Sequence, residues 1–217
     1  MREHKNISIA DQIFEQLERE ILSGKYPRNT VLSELGLSKE LGVSRTPVRE
    51  AIRRLEQEDI LEESGKGMVV VGITADDMRD MFEIRLRIEG EAARRAALNI
   101  SDDRLRTLRE ILDLQRFYSE KGGENSSDQI KNMDSQFHEL VYRACESRPY
   151  IRTLLPLHKR MMKMRKASVS KYSHAMQSLE EHEAIYEALL KHDPDAAEAA
   201  ILAHTRNARE RMTGLGE

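Results

Sequence analysis

Apolar positions in the first third of the chain fall on short helical stripes and then change rhythm. Ile13, Leu17 and Ile21 recur every four residues and predict a first helix ending near Gly24, with Pro27 in the loop that follows. Ser33 is placed to cap a second short helix carrying Leu37 and Leu41, which stops at Gly42. After the turn Gly42-Val43-Ser44 a third helix begins, capped by Ser44 or Thr46. Pro47 is tolerated in its first turn because the missing N–H has no helical partner there. Val48, Ile52 and Leu55 form its inner face. Beyond it, Ile60–Glu63 and Met68–Val71 flank Ser64-Gly65-Lys66-Gly67, and β-branched residues around a glycine-rich turn predict a small hairpin.

From Thr74 onward the pattern is helical throughout. Thr74 and Asp77 resemble a capping box for a helix reaching about Leu98, and Ser101 caps a second that runs to about Gly122. Residues 122–127 are expected to form a loop, and further helices are expected over 128–146, 149–170, 174–191 and 194–212, with breaks at Pro149, near 170–173 and at Asp193-Pro194. Six helices with short connections predict an antiparallel bundle. The expected fold is therefore mainly α: a winged helix-turn-helix over residues 1–73 and an all-α antiparallel six-helix bundle over 74–217.

Composition adjusts this picture only slightly. Charged residues make up 34% of the 217 and aromatic residues 5%, which suits a helix-rich soluble protein. A net charge of −3 gives no bulk support for nucleic-acid binding, so any DNA footprint must be a local patch. Cys145 is the single cysteine, which excludes an intrachain disulfide and fits a reducing, cytoplasmic setting. No apolar run is long enough to cross a bilayer and no signal-peptide pattern opens the chain, so neither a membrane partner nor secretion is expected.

Three short helices and a hairpin are the layout of a winged helix-turn-helix, whose third helix enters the major groove. Arg45, Arg49 and Arg53 stand four residues apart, opposite the Val48–Ile52–Leu55 side, and Arg54 adds a charge nearby. A guanidinium fork suits phosphates and the O6/N7 edge of guanine. Ser44 and Thr46 can donate to phosphate, and Lys66, between two glycines, can approach a backbone closely. An exposed helix also alternates charge without any ligand, and Glu50 and Glu56 are at hand as ion-pair partners.

The run Gly42-Val43-Ser44-Arg45-Thr46-Pro47-Val48-Arg49-Glu50-Ala51-Ile52, with Leu55-Glu56 and the Gly65-Lys66-Gly67 turn, resembles the DNA-binding domain of the GntR family over most of residues 10–72. The resemblance implies DNA contacts from Ser44, Arg45, Thr46, Arg49, Arg53, Lys66 and Gly67. Three positions depart from the family pattern. Pro27-Arg28-Asn29 stands where Pro-Gly is common, Leu35 and Gly36 stand where a basic residue is common, and Asp59 replaces a glycine before the wing.

In the second part, polar residues interrupt faces that should be buried. Asp134 and His138 lie one turn apart on the stripe of Ile130, Met133, Phe137 and Val141. His182 falls among Leu179, Tyr186 and Leu189, and His204 among Ala197, Ile201 and Ala208. Burying these without partners is costly. One carboxylate and three imidazoles can share a divalent transition metal such as zinc, nickel or manganese. Each histidine taken singly is also compatible with a hydrogen-bonded core residue. His158, near Leu154, Leu155 and Met162, is not counted among the ligands.

Glu83-Ile84-Arg85 with Leu86 and Glu89, then Asp134-x-x-x-His138, Glu181-His182 and Ala203-His204, look like the FCD domain of the FadR subfamily, in its short VanR-like form, over residues 75–212. That resemblance implies a metal at Asp134, His138, His182 and His204 and a small organic acid effector assisted by Arg85. An ion pair of Arg85 with Glu89 or Glu83 is the structural alternative. Arg165 and Tyr186 are further candidates for lining a cavity. The expectation is a homodimeric, ligand-responsive repressor on a palindromic operator. The alternatives are a regulator that senses the metal itself, a metal-dependent hydrolase on a DNA tether with Glu181 or Glu183 as base, and a purely architectural DNA binder.

Overall fold

The computed structural model describes residues 8–122, 124–164 and 172–213. The chain divides into one unit ending at Thr74 and another starting at Ala75.

The first unit is built on a three-helix core. Helix α1 (Ile9–Leu22) opens on a capping box, in which the Asp11 amide donates to Ser8 Oγ at 3.0 Å and the Ser8 amide donates back to the Asp11 carboxylate at 3.2 Å. Helix α2 (Glu34–Leu41) is capped by Ser33 and ends at Gly42, whose φ of 66° is the left-handed conformation that glycine adopts without strain. Helix α3 (Arg45–Gln57) starts from Ser44 in the capping position, although the Ser44 side chain makes no capping hydrogen bond. Leu17, Leu37, Val48, Ala51, Ile52 and Leu55 meet in one buried cluster.

The hairpin is present as β2 (Leu61–Ser64) and β3 (Gly67–Val70). A third strand, β1 (Val31–Leu32), pairs antiparallel with β3, giving the order β1-β3-β2 with Val31 opposite Val69. Gly67 is required by this pairing. Its φ is 132°, and a Cβ there would lie 3.0 Å from the Leu32 carbonyl oxygen.

The second unit has six helices among its described residues: α4 (Ala75–Asn99), α5 (Asp102–Lys121), α6 (Glu124–Ala144), α7 (Arg148–Met164), α8 (Tyr172–Leu190) and α9 (Pro194–Thr213). Helix α6 begins four residues earlier than the pattern of apolar positions suggests. The expected 122–127 loop shortens to the break at Gly122, whose carbonyl accepts a 2.6 Å hydrogen bond from Ser126. Ala92, Ala93, Ala96 and Ala97 on α4 are fully buried, and Gly90 lies so close to α9 that a Cβ would meet Glu198 and Leu202 side-chain atoms at 3.0 and 3.2 Å. Small residues let these two backbones approach, so polar groups on α4 reach the interior of the bundle.

Candidate functional site

In the first unit, α3 presents Ser44, Arg45, Thr46, Arg49 and Arg53 to solvent, with Lys66 exposed at the tip of the hairpin. The apolar face of α3 is occupied by Val48, Ala51, Ile52 and Leu55, which fixes the arginine ridge outward. Glu34 on α2 joins two of these arginines. Arg49 donates from Nε and Nη2 to its two oxygens at 2.7 and 2.9 Å, and Arg45 donates at 3.1 Å. Arg49 first and Arg45 second hold the Glu34 carboxyl down at about 2. Arg54 belongs elsewhere. Its guanidinium pairs with Asp11 and lies 4.0 Å from the centre of the Phe14 ring, so it ties α3 to α1.

In the second unit, the predicted polar residues converge. Asp134 and His138 come from α6, His182 from α8 and His204 from α9, and all are buried. The Nε2 atoms of His138 and His204 are 3.1 Å apart, and His182 Nε2 is 3.9 Å from Asp134 Oδ1. One ligand atom from each of His138, His182 and His204 lies within 4.8 Å of the other two. The outward nitrogens are fixed by further partners. His204 Nδ1 donates to Glu181 at 2.8 Å and His182 Nδ1 donates to Gln115 Oε1 at 3.0 Å. Glu181 is held by Arg211 through two 2.7 Å bonds. Burial works to raise the Glu181 carboxyl, but Arg211 and His204 outweigh it and bring it to about 2. Phe137 stacks on His182 with ring centres 4.4 Å apart.

His158 on α7 is also part of this cluster. It is 3% exposed, its Nε2 is 3.7 Å from Asp134 Oδ2, and its ring centre is 4.5 Å from that of His138. Sequence spacing did not count it with the others because Leu154, Leu155 and Met162 around it make its position read as ordinary core. Burial pushes the imidazole of His158 down to about 4, and burial together with the neighbouring histidines holds His138 well below its usual value.

Arg85 lies beside the histidines as part of a buried network. It donates from Nε and Nη2 to Glu89 at 3.1 and 2.8 Å, and Glu89 also accepts from Thr205 at 2.6 Å and from Tyr142. The pair with Glu89 is therefore buried rather than a surface contact, and Glu83 pairs with Arg209 instead. Burial alone would raise the Glu89 carboxyl; Arg85 outweighs it and keeps Glu89 ionised. Arg85 Nη1 remains directed to the Met161 side, where Arg85, Asp134, His138, His158 and His204 line one cavity. The cavity has a volume of about 40 Å³. Tyr186 packs in the apolar core under Arg109, and Arg165 lies outside the described residues.

The two units match two known sequence families. Residues 9–71 match the bacterial regulatory proteins of the gntR family, and residues 80–207 match the FCD domain. The chain belongs to the GntR family of regulators with an FCD domain. Among its relatives, the HTH-type transcriptional repressor RspR of Escherichia coli (strain K12) is 30% identical over 203 residues, covering 93% of this chain and 88% of RspR. The gluconate operon transcriptional repressor of Bacillus subtilis (strain 168) is 28% identical over 184 residues, covering 82% of this chain and 74% of that protein. Two solved structures share the fold. E. coli McbR/YncC superposes with a TM-score of 0.71 at 21% identity, covering 93% and 95% of the two chains. Lar, which controls expression of the Listeria monocytogenes agr system, superposes with a TM-score of 0.75 at 19% identity, covering 98% and 100%.

As a GntR-family member the chain is a DNA-binding transcription regulator, and the relatives it matches are regulators rather than enzymes. The two carboxylates considered as bases are already engaged: Glu181 with His204 and Arg211, and Glu183 with Arg109 at 2.7 and 2.8 Å and Arg116 at 2.9 Å. No helix among the described residues is long and apolar enough to cross a membrane.

Proposed function

We propose that this GntR-family regulator is a homodimeric repressor whose helical domain binds one divalent transition metal through Asp134, His138, His182 and His204. The metal and Arg85 together receive a small carboxylate effector that relieves repression at a palindromic operator. The observation that carries the reading is the pair of outer hydrogen bonds, Glu181 to His204 and Gln115 to His182. Each fixes the tautomer that leaves Nε2 free of a proton and directed at the shared centre, which is how metal-bound imidazoles are oriented. The 3.1 Å gap between two Nε2 atoms is close to the spacing of adjacent donors on one ion with bonds of about 2.1 Å. An ion there would supply positive charge to bind an anionic oxygen, and Arg85 would offer a second contact to the same anion.

A second reading, in which the ion itself is the signal, is favoured by the small interior space of about 40 Å³. Both readings are separated by fluorescence anisotropy on DNA selected by the full-length protein from a random pool. The proposal expects affinity to change severalfold only when metal and a carboxylate from a panel of small acids are both present. A change with metal alone favours direct metal sensing. Unchanged affinity under every condition overturns the sensor role and leaves DNA binding intact.

A further inference from the structure

We infer that His158 is a fifth donor to the metal centre, so that the site is built for a five- or six-coordinate ion rather than a tetrahedral one. This rests on the metal reading above and goes beyond it by adding a residue outside the Asp-x-x-x-His, Glu-His and Ala-His segments. Three observations carry it.

The first is the state of the side chain. His158 is 3% exposed, and neither ring nitrogen has a hydrogen-bond partner. A buried imidazole with both nitrogens unsatisfied costs free energy unless something else occupies them. The second is distance. Nε2 is 3.7 Å from Asp134 Oδ2, too far for a hydrogen bond, yet one ligand atom from each of Asp134, His138 and His158 lies within 4.8 Å of the other two. This triad shares His138 with the one formed by His138, His182 and His204, so the two groups of donors adjoin through one residue. The third is location. His158 lines the same cavity as Arg85.

Four protein donors complete a tetrahedral zinc site, whereas five exceed it. Donation by His158 therefore favours nickel, cobalt or manganese over zinc. Five protein donors on a six-coordinate ion would leave one position for an outside ligand, and Arg85 on the same cavity would offer that ligand a cationic contact.

The test uses cobalt(II) as probe with the full-length protein. Each coordinated imidazole keeps one N–H whose proton resonance is strongly shifted by cobalt, so the wild-type spectrum is expected to show four exchangeable histidine signals and weak visible absorption. His158→Gln is expected to show three signals, stronger visible bands as the coordination number falls, and cobalt affinity lower by about tenfold or more. Three signals in the wild-type protein overturn the role of His158 while leaving the four-ligand site standing, and this holds even if the variant fails to fold. No cobalt uptake by the wild-type chain overturns both.

Discussion

His138 and His204 face each other through their Nε2 atoms at 3.1 Å, and the opposite nitrogen of His204 is bonded to Glu181 at 2.8 Å. With the proton of His204 on Nδ1, its Nε2 carries a lone pair. In the metal-free protein His138 must therefore donate across the gap. Under the proposed metal reading, an ion would replace that single hydrogen bond with two dative bonds.

Glu181 is the residue through which this reading is tested. Glu181→Gln keeps the size of the side chain but removes the charge that fixes the His204 tautomer and pairs with Arg211. Isothermal titration should show metal affinity falling about 10- to 100-fold, with little change in operator binding by the metal-free protein. Equal metal affinity for the two proteins would remove Glu181 from the site.

The metal-free helical domain should lose stability in mild acid. Burial lowers His158 to about 4 and holds His138 well below its ordinary value, so both stay neutral in the folded chain while the unfolded chain takes up protons from about pH 6.5 downward. Below that point protons favour the unfolded state, and the stability present above it is lost as pH falls toward 4. The loss from His158 alone is about 2 kcal/mol between pH 7 and pH 5. Thermal melts of the full chain at the two pH values measure it, and His158→Gln should flatten the slope.

On the DNA side, Arg49 and Arg45 share Glu34. Arg49→Ala should weaken operator binding and reduce the slope of log affinity against log salt by about one. Glu34→Gln should act oppositely on non-specific DNA, tightening it at low salt by removing a negative charge beside the phosphates. Anisotropy over a salt series distinguishes these outcomes from a loss of folding, which would weaken all DNA binding in both variants.

The departures at the wing are backbone questions. Asn29 and Asp59 have φ of 68° and 52°, the left-handed region, and Asp59 stands where the resemblance implies a glycine before the wing. Asp59→Gly should relieve the strain of a side chain in that conformation, offset in part by the greater freedom of glycine in the unfolded chain. A net gain of about 0.5 kcal/mol is expected, read as a small rise in the melting temperature of the first unit.

Much of this was legible from residue order because it is set locally. Ser8 lies outside the predicted patterns, but Ser33, Gly42 and Ser101 mark helix ends through capping and left-handed turns, and each helix buries its apolar stripe. The four metal candidates stood out as polar residues on such stripes. What escaped was set by partners distant in sequence. Strand β1 is two residues long and exists through pairing with β3. Glu34, not Glu50 or Glu56, pairs with the arginines because α2 packs beside α3. His158 and Gln115 join the cluster only when α7 and α5 close around α6.

The most direct test of the metal centre is the metal content of full-length protein dialysed against nickel(II) and then against buffer, measured together with that of a variant carrying His138→Ala and His204→Ala. One bound ion per chain in the natural protein and none in the variant is the predicted result. An equal, substoichiometric content in both would contradict a metal held by Asp134, His138, His182 and His204.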